Sequence, residues 1–294
     1  MNDVMTALVT GATGNVGSRV VTELRDLGVR VRAFVRDPGR AAALLGGETE
    51  LAVGDFGEPS TIRRALEDVD RVILICPNDP RQVEYGTGAI DASAAAGVAQ
   101  VVFLSTVGAQ VGSPLVFFDQ HARIEEHLRG SGIPGVALRA GHLMSNLIGS
   151  AATIAQTGRF FLPAGDAPIA MVDPRDVASS AAVVATTAGH TGRTYELTGP
   201  EAISYADVAR RLSGVLGRSV EYVDVPDEVA LAGLAQAGLP LWLAEQVVAV
   251  FGALRAGVNA STTGTVRELT GREPRRFEEF ARSVAPLLLG GQRD

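Results

Sequence analysis

The sequence predicts an α/β protein, a doubly wound parallel sheet with a smaller C-terminal α/β cap. Three observations carry that reading. Short apolar, β-branched runs alternate with longer helical patterns from the start, a glycine-rich turn joins the first run to the first helix, and the rhythm loosens past about Gly141. Apolar strands alternating with helices build βαβ units whose sheet is covered on both faces. Right-handed crossovers then make the doubly wound order the economical topology.

In chain order, Thr6–Thr10 reads as a strand, Asn15–Leu27 as a helix and Val29–Val35 as a strand. Pro38–Leu45 reads as helical, Glu50–Val53 as extended and Pro59–Leu66 as helical. Val72–Ile75 is a continuous apolar strand, followed by helical Arg81–Ala96, the strand Val101–Leu104, helical Phe117–Gly130 and extended Gly135–Arg139. A mixed stretch precedes Val172–Val184, then come a strand at Thr194–Leu197, a helix opened by Ser204 and a strand at Val220–Val225. Pro226–Val258 is rich in small and apolar residues, but Pro240, Glu245 and Gln246 make it a packed or lid-forming helical pair rather than a membrane span. The expected division is a nucleotide-binding core over residues 1–150 and, over 151–294, mostly a substrate-binding cap with some segments returning to the core.

Composition narrows the function. The 294 residues carry 26 basic and 33 acidic side chains, a net charge of −7, so binding nucleic acid through a basic face is not expected. The single cysteine, Cys76, excludes an internal disulfide and a thiolate metal cluster, and no other metal site is legible. With no apolar run of about 20 residues and no secretory leader pattern, a cytoplasmic protein without a membrane span is expected, as monomer or homodimer. No lysine occurs anywhere, so Schiff-base chemistry is excluded.

The strongest local signal is Val9-Thr10-Gly11-Ala12-Thr13-Gly14-Asn15-Val16-Gly17, between the first strand and the first helix. Glycines there permit a tight turn and a close backbone approach, while the helix N-terminus offers free amides to a pyrophosphate. That placement implies a Rossmann-type dinucleotide site built on Gly11, Ala12, Thr13, Gly14, Asn15, Val16 and Gly17. NAD binders set an acidic residue for the ribose at the end of the second strand, roughly 20 residues on. Here Arg36 stands in that place, with Asp37 after it. A 2′-phosphate contact, hence NADPH with NADH weaker, is the functional reading; a solvated Arg36 beside an Asp37 helix cap is the other. Asp55 can accept from the adenine amino group, with Phe56 adjacent, or form an Asx turn. Cys76 and Pro77 end the fourth strand, where the cofactor ribose is expected.

These stretches, with Val35-Arg36-Asp37-Pro38, Leu138-Arg139-Ala140-Gly141-His142-Leu143-Met144-Ser145-Asn146 and Val172-Asp173-Pro174-Arg175-Asp176-Val177-Ala178, resemble NmrA-like, atypical short-chain dehydrogenases/reductases. Tyr195-Glu196-Leu197-Thr198-Gly199-Pro200-Glu201-Ala202-Ile203-Ser204-Tyr205 and Glu268-Leu269-Thr270-Gly271-Arg272-Glu273-Pro274 extend the resemblance over nearly the whole chain. The group includes NADPH-dependent quinone and triphenylmethane reductases and also non-catalytic redox sensors. The resemblance implies NADPH-dependent reduction of a ketone or quinone carbonyl on a bulky aromatic molecule, a polyketide-type ketone being one form. The alternative it leaves is a regulator that binds NADP(H) without turnover.

Ordinary short-chain reductases protonate the nascent oxygen with a Tyr and a Lys four apart. The matching helix reads Phe117-Phe118-Asp119-Gln120-His121, so Phe117 and His121 stand in those places. Ser105, after the fifth strand, is a candidate for contact with the substrate oxygen or the carboxamide, or a strand-end turn. His121 is a candidate ribose donor or general acid, with an ordinary pKa near 6.5, or a structural histidine. Glu125 either holds His121 or is a surface charge. Phe118, His142, Met144, Asn146 and Trp242 are the candidate substrate wall, Asn146 as a donor to a carbonyl or as a helix cap, the aromatics as a flat cavity or as core.

Overall fold

The structure, a computed structural model, describes residues 4–291. Its elements are β1 (Thr6–Val9), α1 (Gly17–Asp26), β2 (Arg30–Val35), α2 (Pro38–Leu45), β3 (Glu50–Val53), α3 (Pro59–Ala65), β4 (Arg71–Leu74), α4 (Gln82–Ala95), β5 (Gln100–Thr106), α5 (Val116–Gly130) and β6 (Gly135–Ala140). After a 3-10 segment at Met144–Ser150 come α6 (Ala151–Thr157), β7 (Arg159–Leu162), α7 (Pro174–Thr186), β8 (Thr194–Leu197), α8 (Tyr205–Leu216), β9 (Glu221–Asp224), α9 (Asp227–Gln236), α10 (Leu241–Arg255), α11 (Thr265–Thr270) and α12 (Phe277–Leu288).

Two compact units divide the chain. The first holds the residues up to Ala140, Pro174–Leu197 and Glu268–Gly271. Its seven strands run in the order β3-β2-β1-β4-β5-β6-β8, every neighbouring pair parallel, which is the Rossmann-type doubly wound sheet. The order reverses between β1 and β4, where Leu8 pairs with Val72, and the crevice beyond such a reversal is where doubly wound sheets take their ligands. All four residues of β1 are buried, as a strand covered on both faces requires. Helix α1 turns Val20, Val21 and Leu24 inward, and α2 starts where Asp37 caps it and Pro38 presets its first turn. Leu8, Phe34, Leu74, Ile90, Phe103 and Ile124 lie in the core on one face of this sheet.

The second unit holds Gly141–Asp173, Thr198–Arg267 and the residues from Arg272 on. Its own core gathers Ile154, Phe160, Tyr205, Leu212, Phe251, Phe277 and Phe280. Helix α8 opens with a capping box in which the Ser204 hydroxyl accepts from the Asp207 amide and the Asp207 carboxylate accepts from the Ser204 amide. The sheet here has two parallel strands, β7 and β9.

Several boundaries depart from the sequence reading for identifiable reasons. Helix α1 begins at Gly17 rather than Asn15, because the intervening residues form the loop that the glycines allow. Strand β7 and helix α12 lie where no element is expected from the sequence; in β7, Phe160 is fully buried and Phe161 is 46% exposed, an alternation too short to read against its surroundings. Pro226–Val258 is a helical pair, broken between α9 and α10 near Pro240, and α9 contains no fully buried residue.

Candidate functional site

The glycine loop is shaped by contacts that admit no side chain. Gly11 has φ +59°, a left-handed conformation, and accepts from the Gly14 amide at 2.9 Å. A Cβ on Gly17 would lie 2.2 Å from the Gly11 carbonyl oxygen, so only glycine lets α1 start so close to the turn. Thr10 locks the base of the loop onto β4: its hydroxyl accepts from the Ile75 amide at 2.8 Å and donates to the Ile75 carbonyl at 3.0 Å. The amides of Ala12, Thr13, Asn15 and Val16 have no acceptor among the described residues, and no side chain caps α1. A bare helix N-terminus beside a cradle that a Cβ would fill fits a pyrophosphate.

At the end of β2, Arg36 is exposed and its guanidinium has no partner among the described residues. Asp37 is otherwise engaged, its carboxylate accepting from the Arg40 amide at 3.0 Å as the cap of α2. Asp55 takes the turn alternative: its carboxylate accepts from the Gly57 amide at 2.7 Å in an Asx turn, and a role toward adenine has only the rest of that carboxylate to use. The Phe56 ring stacks on Tyr85 at 5.8 Å and meets Phe34 edge-on at 5.6 Å. Pro77 is half-buried after β4; burial pushes the neighbouring Cys76 thiol up to about 12, so it stays protonated and unreactive.

Of the two catalytic candidates, Ser105 is 3% exposed and its hydroxyl donates to Glu125 at 2.5 Å. Glu125 is neither a surface charge nor a hydrogen-bond partner of His121. It is 2% exposed and receives a bidentate pair from Arg139 at 2.9 and 2.8 Å, so Ser105 completes a buried ion pair tying α5 to β5 and β6. The Arg139 guanidinium is accordingly held above its usual range, first by the Glu125 hydrogen bond.

The His121 ring lies against Phe103 with centroids 5.6 Å apart, and its Nε2 is 3.4 Å from the amide nitrogen of Gln82. Its Nδ1 is buried without a partner, as is Oε1 of the fully buried Gln82. Burial drives the imidazole down to about 4, against a smaller opposing pull from Glu125, so His121 is neutral near pH 7. A neutral imidazole so placed is a hydrogen-bonding group rather than a charged proton donor.

Among the substrate candidates, Phe118 and Met144 turn out to be core. Phe118 is 7% exposed and fills the space over Gly108, where a Cβ would come within 2.7 Å of its ring. Met144 is 3% exposed within the core of the second unit. Trp242, on α10, is half-buried. His142 is half-buried and Asn146 exposed; the Asn146 amide nitrogen lies 3.4 Å from both His142 ring nitrogens. Behind them His142 Nε2 is 2.8 Å from the hydroxyl of Tyr205, which is 2% exposed and lies 63 residues further along the chain, a separation across which sequence spacing gives no pairing signal. Burial also takes His142 down to about 4.

The profile of the NmrA-like family matches residues 4–281. The chain is 34% identical over 278 residues to an NAD(P)H azoreductase of Xenophilus azovorans, covering 95% of this chain and 97% of that one. Among solved structures it is similar to an NADPH-dependent quinone oxidoreductase from Escherichia coli in complex with NADPH, with TM-score 0.84, 30% identity and coverage of 95% of this chain and 99% of that one. It is also similar to a triphenylmethane reductase from a Citrobacter species, with TM-score 0.84, 25% identity and coverage of 96% and 99%.

Proposed function

Because the chain belongs to the NmrA-like family, we propose that it is an NADPH-dependent reductase transferring hydride to a ketone or quinone carbonyl of a bulky aromatic molecule. The observation that carries the reading is the glycine cradle with its open amides, followed at the end of β2 by an exposed arginine, without a partner among the described residues, where NAD binders have an acid. The pyrophosphate rests on the loop between Gly11 and Gly17, and Arg36 contacts the 2′-phosphate. Asp55 and Phe56 border the adenine, Cys76 and Pro77 the ribose near the reversal of strand order, and His121 donates to the second ribose from one ring nitrogen. NADPH supplies the hydride when bound.

With no Tyr–Lys pair and a neutral His121, the chain holds no group of ordinary acidity in the usual place. Substrates whose oxyanion is already stabilised, quinones and phenol-flanked ketones, relieve the protein of that duty, which leaves orientation and exclusion of water as its contribution. His142, Asn146 and Trp242 form the substrate side. The test is NADPH consumption by the purified protein against a panel of quinones, azo dyes and phenolic polycyclic ketones. Turnover with members of the panel is expected. Tight NADPH binding with no consumption would instead indicate a nucleotide-binding regulator.

A further inference from the structure

The Tyr–Lys pair of ordinary short-chain reductases is missing, yet the second unit contains a tyrosine and a histidine in hydrogen-bond contact, 63 residues apart in the chain. Among the described residues the Tyr205 hydroxyl has His142 as its only side-chain partner, at 2.8 Å, inside an aromatic cluster of Phe160, Tyr222 and Phe251. A hydroxyl this deeply buried must donate its proton somewhere, because a buried donor left without an acceptor loses its hydration with nothing in return. His142 Nε2 is the acceptor available. If Tyr205 donates to Nε2, the neutral ring carries its own proton on Nδ1. The Asn146 amide nitrogen stands 3.4 Å from that nitrogen, a contact too loose to be a firm hydrogen bond. Two N–H donors, one on His142 and one on Asn146, are thus neighbours at the half-exposed edge of the cluster, two and six residues past the carboxyl end of β6.

We propose that His142 and Asn146 together donate hydrogen bonds to the substrate's carbonyl oxygen, and that Tyr205 is the positioning residue that fixes the tautomer of His142. The inference rests on the reductase reading above. As hydride adds to the carbonyl carbon, the π pair of the C=O bond moves onto oxygen and the negative charge develops between the two donors. Neither donor surrenders its proton; the oxyanion takes one from solvent after the product leaves the site. A neutral imidazole suits this task, because an N–H aimed in advance at a forming charge needs no protonation equilibrium of its own. Burial keeps His142 in that neutral form down to about pH 4. Phe251, with its centroid 5.9 Å from the His142 ring, adds an apolar surface beside the donors, matching a carbonyl borne on an aromatic ring system.

The test uses His142→Phe and Tyr205→Phe, with His142→Gln as the variant that keeps a neutral N–H donor. Each is measured for kcat and KM with the best quinone or ketone of the panel, for NADPH affinity, and by nitrogen-15 NMR of the histidines. His142→Phe is expected to lower kcat about ten- to hundredfold with NADPH affinity unchanged, and His142→Gln to recover part of the loss. In the wild type, NMR is expected to find the His142 proton on Nδ1, and in Tyr205→Phe a mixture of tautomers with a smaller loss of kcat. Wild-type kcat in His142→Phe, or a proton on Nε2 in the wild type, overturns the inference alone. A wild-type protein that consumes no NADPH with any member of the panel overturns the reductase reading beneath it.

Discussion

Arg36 and Asp37 are adjacent in sequence and opposite in task. Asp37 spends its carboxylate on the α2 cap, which leaves the guanidinium of Arg36 exposed at the tip of β2. A charge-assisted bond to phosphate contributes about 1.5–3 kcal/mol. Arg36→Asp is therefore expected to weaken NADPH binding about 10- to 100-fold while leaving NADH binding little changed, as titration of nucleotide fluorescence would read. Equal losses for both nucleotides would remove Arg36 from the phosphate. Ser105 makes the complementary case. Its hydroxyl is tied up with Glu125, itself clamped by Arg139, so Ser105→Ala should cost about 1–3 kcal/mol in a denaturant titration and leave kcat within about twofold. A large fall in kcat at unchanged stability would restore Ser105 to the chemistry. At this scale the sequence displays residue types but not their engagements. Glu125 is one helical turn beyond His121 and yet belongs to Arg139, because β6 brings a guanidinium under the helix.

The turn between β1 and α1 shows how far an element can be read in advance. Its glycines, the apolar strand before it and the amphipathic helix after it are local signals, and the parallel order follows from alternation and handedness. Gly17→Ala would drive its Cβ into the Gly11 carbonyl, so the loop must open. Loss of measurable NADPH binding with the fold retained by circular dichroism is expected. Wild-type affinity in that variant would mean the cradle is not the nucleotide site. Elements that depend on distant partners were less legible. Strand β7 exists because it pairs with β9, with Phe160 opposite Tyr222, and nothing within Arg159–Leu162 announces that. Likewise Phe118 and Met144, chosen from sequence as substrate contacts, are claimed by the cores of their units, the usual fate of large apolar side chains.

Across the whole molecule the consistent feature is the absence of groups that titrate near neutrality where chemistry is proposed. The chain has no lysine, its only cysteine is held protonated, and the two histidines of the candidate sites are both taken down to about 4 by burial. The ordinary imidazole value near 6.5 is thus displaced downward, and the neutral form of each ring prevails at every higher pH. A histidine acting as a general acid with its ordinary pKa would make the rate fall as pH rises through about 6.5, whereas neutral donors keep it level. The most direct measurement is the pH dependence of kcat for NADPH oxidation with a quinone substrate. A level profile between about pH 6 and 8 is the predicted result; a rate falling about tenfold per unit above a pKa inside that window would contradict the account.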